Sequence, residues 1–261
     1  MGDIALLDLR LRRRLTLGYM LGMAAYTAVV IALYPTFKDA HGLDALVQDS
    51  GAVAALFGAT DPLTSPAGWL GANLYGNFLP LLTLMATIGY GATAIAGQNE
   101  EGTLALVASL PVRRARIAMA KLAALAVQAL PVPVATAACI VAGRGLDLNL
   151  GAAQLWGATA GVVGLGLVFG ALALLLGALT GSRGVALGVT TGAAAVSYLV
   201  NSLAPLIDWL EPGRYFSPFF YAVGDHQLRD GQSPAWLAVL GGAALVLAGA
   251  AVIAFRRLDV R

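Results

Sequence analysis

The chain has 261 residues, of which 59% are hydrophobic and 11% charged, with a net charge of +2. A soluble domain carries about 25% charged residues and about 45–50% apolar ones, so a water-soluble globule is excluded. Only two lysines are present, Lys38 and Lys121, and neither stands in a G-x-x-x-x-G-K-[ST] loop, so no nucleotide site of that kind is encoded.

Apolar runs long enough to cross a bilayer core of about 30 Å recur along the chain. They predict an all-α membrane protein with six spans at 15–34, 70–97, 115–142, 153–180, 185–205 and 234–255. All 261 residues form a single transmembrane domain on this reading.

Residues 1–14 precede the first span. Ile4, Leu7, Leu11 and Leu15 share one helical face, and Arg10, Arg12, Arg13 and Arg14 follow closely. That pattern predicts an interfacial helix with its basic residues at the lipid headgroups. The connection 35–69 is polar, holds Asp39, Asp44, Asp49 and Asp61, and is too short for a domain of its own. A short helix is expected near 43–49.

Span two carries Asn73, Asn77 and Thr83, span three Gln128, and span five Ser197, Tyr198 and Asn201. The central parts of all six spans hold no ionisable residue. Carriers driven by protons or sodium bury such residues, so a proton relay is disfavoured. Asn73, Asn77, Ser197, Tyr198 and Asn201 are candidates for a substrate path, with helix-to-helix hydrogen bonding as the plainer alternative.

The segment 98–114, "QNEEGTLALVASLPVRR", gathers charge between spans two and three. Asn99 is suited to cap a helix whose first turn holds Glu100 and Glu101. Thr103, Leu106, Val107 and Leu110 then fall on one face, and Pro111 ends the element after about ten residues. Pro111 also suits the start of the helix leading into span three. Arg113, Arg114 and Arg116 oppose the dipole of that helix, although lipid phosphate accounts for cations here. A helix resting on lipid and a helix meeting a soluble partner both remain open on these grounds.

Small residues at four-residue spacing suit close helix packing: Gly166 and Gly170, Gly177 and Gly181, then Gly184, Gly188 and Gly192. Packing within one subunit is the expected use. The stretch 214–231 clusters Tyr215, Phe216, Phe219, Phe220 and Tyr221, read as an aromatic belt at the membrane interface. Cys139 is the only cysteine and is read as a small buried hydrophobe. No metal-ligand cluster is evident. The basic residues divide unevenly. Arg10, Arg12, Arg13, Arg14, Arg113, Arg114, Arg116, Lys121, Arg183, Arg256, Arg257 and Arg261 fall on one side, against Lys38, Arg144, Arg214 and Arg229 on the other. The bias places both termini and the 98–114 segment in the cytoplasm.

"NEEGTLALVASLPVRRARIAMAKL" resembles the segment joining the second and third membrane helices of ABC-2-type permeases. Residues 11–37, 55–76 and 198–221 are similar to other parts of that family, in order along the chain. The resemblance implies a permease subunit of an ATP-driven exporter in the bacterial cytoplasmic membrane. It implies that 98–114 is a coupling helix docking on a separate ATP-binding subunit, with Glu100, Glu101, Gly102, Thr103, Leu106, Leu110, Pro111, Val112 and Arg114 at the interface. It further implies that 206–233 is an external re-entrant region, that residues 1–14 also lean on the ATPase, and that a second permease completes the complex. No cofactor is expected in this chain, since ATP and Mg belong to the partner. The substrate class expected is an amphiphilic or lipophilic drug, antibiotic or lipid. A non-transporting tether or regulator of an ATPase, and a passive channel or secondary carrier, stand as the alternatives.

Overall fold

The computed structural model describes residues 2–39, 61–103, 114–146, 148–224 and 226–257. Among them there is no strand, and six helices are long and apolar enough to cross a membrane. These cover Ala5–Phe37, Pro66–Glu100, Arg114–Leu146, Ala152–Thr180, Arg183–Leu206 and Pro234–Arg257. Each overlaps an expected span, with ends displaced by no more than four residues except at the start of span one. The short helix expected near 43–49 lies outside the described residues.

Span one begins earlier than expected. Gly2–Phe37 is one helix of 36 residues, so the segment read as a separate interfacial helix continues into the membrane without a break. Leu6, Leu7, Leu11 and Leu15 on it are exposed, whereas Asp8 on the opposite side is buried. Leu7, Leu11 and Leu15 of the expected apolar stripe are therefore on the outer face of this segment, and the inner face carries Asp8 beside Ala5 and Leu9.

Spans two and three are broken, and prolines explain both breaks. Pro80 has no N–H for the carbonyl of Gly76 and its ring crowds that carbonyl. Span two accordingly changes from a π-helical stretch, Gly71–Tyr75, through a turn at Gly76 and Asn77 into the α-helix Phe78–Ala92. It ends in a second π-helical stretch, Thr93–Gly97, and a last turn, Gln98–Glu100. Pro131 and Pro133 divide span three into Arg114–Gln128 and Pro131–Ala142 in the same way.

Span four is the centre of the bundle. Leu155, Val162, Leu165, Phe169, Ala173 and Leu174 on it are buried. Its glycines let span two approach closely. A Cβ on Gly91 would stand 2.3 Å from the Gly170 carbonyl oxygen, and one on Gly166 would stand 2.9 Å from Thr83 Cγ2. Gly177 faces Ala96, also on span two. Packing within the subunit is thus the use of the span-four glycines. It is not the use of Gly188 and Gly192, which have no atom within 4 Å of where a Cβ would stand. Cys139 is partly buried against the core, as its small apolar character suggests.

Between spans five and six lie a 3₁₀ turn, Glu211–Phe216, and two short helices, Pro218–Val223 and Gln227–Asp230. The expected aromatic belt divides here. Tyr215 and Phe216 are exposed, while Phe219 and Phe220 are buried and point inward.

Gly91→Ala is expected to lower the thermal unfolding midpoint of the detergent-solubilised protein, with an overpacking cost of about 1–3 kcal/mol. Gly188→Ala, made into open space, should leave the midpoint unchanged or raise it.

Candidate functional site

Two polar clusters and one cavity organise the bundle, and they lie at different levels along it. At the end carrying most of the basic residues, Lys121 of span three is almost fully buried, 1% exposed, beside Asp8 of span one, 6% exposed. Lys121 Nζ donates to Asp8 Oδ1 at 2.9 Å, to Asp8 Oδ2 at 2.7 Å and to Gln98 Oε1 at 2.8 Å. An ammonium has three N–H donors, so all three are used. Asp8 Oδ2 also accepts from the Tyr90 hydroxyl at 2.9 Å, and Asp8 Oδ1 from Gln98 Nε2 at 3.3 Å. One ring of hydrogen bonds therefore joins spans one, two and three. A turn further along span one, Arg12 lies over the Tyr90 ring at 5.3 Å and donates to the Thr93 hydroxyl and the Gly89 carbonyl. The sequence reading placed Lys121 among the surface cations and gave Asp8 no role. Asp8, Arg12 and the next polar residue on that face, Thr16, recur at intervals of four, a polar stripe beside the leucines that signals a buried polar face.

The segment read as the coupling helix begins differently from its expected form. Asn99 and Glu100 are still helical and belong to the last turn of span two. Gly102 has φ +69, the left-handed conformation that ends helices, and its N–H bonds to the Asn99 carbonyl at 3.1 Å. Asn99 is therefore not an N-cap, and Glu100 and Glu101 stand at a helix C-terminus. Carboxylates there oppose the dipole by about 0.3–1 kcal/mol each. For Glu100 the fold offsets this cost, because its Oε1 accepts from the Arg183 backbone N–H at 2.8 Å, at the start of span five. Thr103 Oγ1 donates to the Gln98 carbonyl at 3.2 Å. Arg114 is exposed at the first turn of span three. Leu106, Leu110, Pro111 and Val112 lie outside the described residues.

About halfway along the bundle, spans one, two and five enclose a half-open cavity of about 590 Å³, to which Phe219 also contributes and in whose wall Leu81 and Met85 are exposed. Asn77, Leu81, Leu84, Met85 and Ile88 form its wall on span two, at helical spacing. Leu187, Thr191, Ala194, Ala195 and Tyr198 face them from span five, and Tyr19 contributes from span one. The lining is mostly apolar, with one polar pair at the end far from Lys121. There the Tyr198 hydroxyl donates to Asn77 Oδ1 at 2.5 Å. Asn77 also donates from Nδ2 to the Ala72 carbonyl at 3.2 Å, in the turn that Pro80 imposes.

A family model for the ABC-2 family transporter protein matches residues 3–260, nearly the entire chain. The protein belongs to the ABC-2 family. No curated protein matches it in sequence. An ABC-2 transporter protein is a permease subunit without an ATPase of its own, and the six helices make this one a multi-pass membrane protein.

Of the five substrate-path candidates in this ABC-2 permease, only Asn77 and Tyr198 reach the cavity. Asn73 donates back to the Trp69 carbonyl at 2.9 Å, within its own span. Ser197 pairs with Ser217 at 2.8 Å, holding the start of the helix Pro218–Val223. Asn201 lies against Gly224, whose Cβ would stand 2.5 Å from Asn201 Oδ1. Ser197 and Asn201 thus hold span five to the segment that follows it, the plainer role that polar residues in lipid take, and Asn73 serves only its own span. The sequence reading did not single out Tyr19 or Met85, and it assigned Phe219 to the membrane surface. For span two the signal was present, since Asn77, Leu81, Met85 and Ile88 repeat at intervals of about four.

At the opposite end of the permease from Lys121, Asp61 is buried beside His226 Nδ1 at 3.1 Å and Arg229 Nη1 at 3.4 Å. His226 has φ 53, so the backbone turns sharply there between the two short helices. No group of three or more metal-ligating side chains occurs among the described residues.

Lys121→Met leaves Asp8 buried without its counter-charge and should destabilise the protein by about 3–5 kcal/mol. The double variant Asp8→Leu/Lys121→Met removes both charges and should recover most of that loss. Thermal unfolding of the purified protein in detergent checks both.

Proposed function

We propose that this permease is the membrane-spanning half of an ATP-driven exporter, standing on a separate ATP-binding subunit and paired with a second permease. The observation that carries this reading is the cavity between spans two and five. It is large enough for a drug-sized or lipid-like molecule, apolar along both walls, and supplied with one polar pair, Tyr198 and Asn77. Pockets for small molecules typically measure about 300–1,000 Å³ and combine an apolar lining with a few polar groups that fix orientation. The cavity has no charged side chain in its wall, which favours an amphiphilic or lipophilic substrate, such as an antibiotic or a lipid, over an ion.

The basic end of the bundle faces the cytoplasm of a bacterial cell on this reading, following the bias of arginine toward that side. The 98–114 segment meets the ATP-binding subunit there, and ATP and Mg are bound by that subunit. Glu101 is the cleaner acidic contact. Glu100 already serves the start of span five, so its replacement disturbs the permease as well as the interface. Closure of the ATPases changes the relative position of spans two and five and so the shape of the cavity. For that to drive export, the substrate must bind the inward-open and outward-open forms with different affinity.

A pull-down of the chain from native membranes in mild detergent tests the assembly. An ATP-binding subunit should be recovered with the wild type and lost with Glu101→Lys. Recovery of no ATPase, or binding indifferent to residue 101, overturns the reading in favour of a passive carrier. Transport is tested in sealed inverted vesicles with a panel of amphiphilic dyes and fluorescent phospholipids. Ala195→Trp, which fills the cavity from span five, should lower ATP-dependent movement of any transported probe by about tenfold, a loss of about 1.4 kcal/mol in binding. ATPase recovery should stay unchanged.

A further inference from the structure

Gln98 ends span two and Lys121 lies on span three, and their hydrogen bond ties these spans together at the base of the connection between them. Asp8 is bonded to both, so the first span is pinned to that base. Span one is a single helix, and a helix rises about 1.5 Å per residue. Eleven residues beyond Asp8, about 16 Å along the axis, Tyr19 stands in the wall of the cavity. Two turns further on, the Tyr26 ring packs on Phe78 of span two at 4.8 Å, at the first turn past the break at Asn77.

Span two offers a less regular route between the same two points. Between Gln98 and the cavity residues Ile88 and Gly89 it passes through the π-helical stretch Thr93–Gly97. Local π geometry interrupts the regular ladder of hydrogen bonds and is a recurrent yielding point in helices. Arg12 braces that stretch from span one. The unbroken helix thus supports the broken one.

We propose that span one is the lever of this permease, with Asp8, Lys121, Gln98 and Tyr90 as the positioning residues that join it to the base of the 98–114 segment. Displacement of that base is carried along span one to Tyr19 and Tyr26, and so to the cavity wall. The joint stays closed while the lever moves, because opening it strands a buried ammonium and a buried carboxylate with no water to replace their partners. The proposal rests on the reading that an ATP-binding subunit docks at this end.

The test uses the complex recovered with its ATPase from native membranes, in a Cys139→Ala background with Met85→Cys as a reporter in the cavity wall. Maleimide labelling of that cysteine is measured with and without ATP, Mg and vanadate. The wild-type joint should give a nucleotide-dependent change in labelling rate of about fivefold or more, the lower end of typical coupling. Asp8→Leu/Lys121→Met keeps the joint packed but removes its directional bonds. It should abolish the change while ATPase recovery and ATP hydrolysis persist. Tyr90→Phe, which deletes one hydrogen bond and leaves the ion pair, should reduce the change, and Lys121→Arg should largely preserve it. If the double variant and Tyr90→Phe bind ATPase and retain the full labelling change, the joint is only a structural element and the lever is overturned. If the wild type itself carries no ATPase, the exporter assembly proposed above fails and this inference fails with it.

Discussion

A polar group inside a bilayer has no water to fall back on, and the fold of this permease follows from how each such group is satisfied. Threonines on spans two, three and four return their hydroxyls to the carbonyl one turn back, as Thr83 does to Leu79 and Thr159 to Leu155. Thr16 and Gln128 satisfy each other between spans one and three. The Trp69 indole donates to the Val30 carbonyl at 2.9 Å, and the Tyr75 hydroxyl pairs with Thr159. Each of these bonds is modest alone. Together they fix which helix neighbours which, because a slipped helix would leave a buried donor or acceptor unpaired at about 1–3 kcal/mol.

The same constraint explains why the irregular backbone lies where it does. Span two breaks at Asn77 and again at Thr93, and both breaks are covered by side chains from other spans. Tyr198 of span five serves the first and Arg12 of span one the second. Irregular backbone at membrane depth is tolerated where protein or a cavity surrounds it, and the first break opens on the cavity. Span four, with glycines on the side facing span two, permits the close approach that a bent partner needs. A bulkier span four would push span two outward and widen or erase the cavity.

Polarity also separates the two ends of the bundle. At one end a carboxylate, an ammonium, an amide and a phenol close into a single ring around Asp8. At the other, Asp61 meets His226 and Arg229, while Ser217 and Gln227 hold the short helices between spans five and six. Phe219 hangs from those helices into the cavity, meeting the Tyr198 ring edge to face at 5.4 Å. The polar joints therefore sit outside the apolar middle.

Sequence by itself determined the class of this protein, the six spans and the asymmetry of charge. Those properties depend on runs of residue type, which lipid selects one helix at a time. It also exposed the family, through motifs spread in order along the chain. What it did not determine was which polar residues meet. Asn73, Asn77, Ser197, Tyr198 and Asn201 look alike as neutral residues in apolar runs, and only helix rotation and the break before Pro80 decided that two of them face a cavity. Lys121 and Asp8 are 113 residues apart, and each alone reads as a surface charge. Their burial is a property of three helices packed together, since a charge enters an apolar interior only when its partner arrives with it. Glu100 and Glu101 passed for the start of a helix because Asn followed by two acids suits a helix N-terminus, although a helix-ending glycine stands directly after them. The left-handed turn at Gly102 decided the matter.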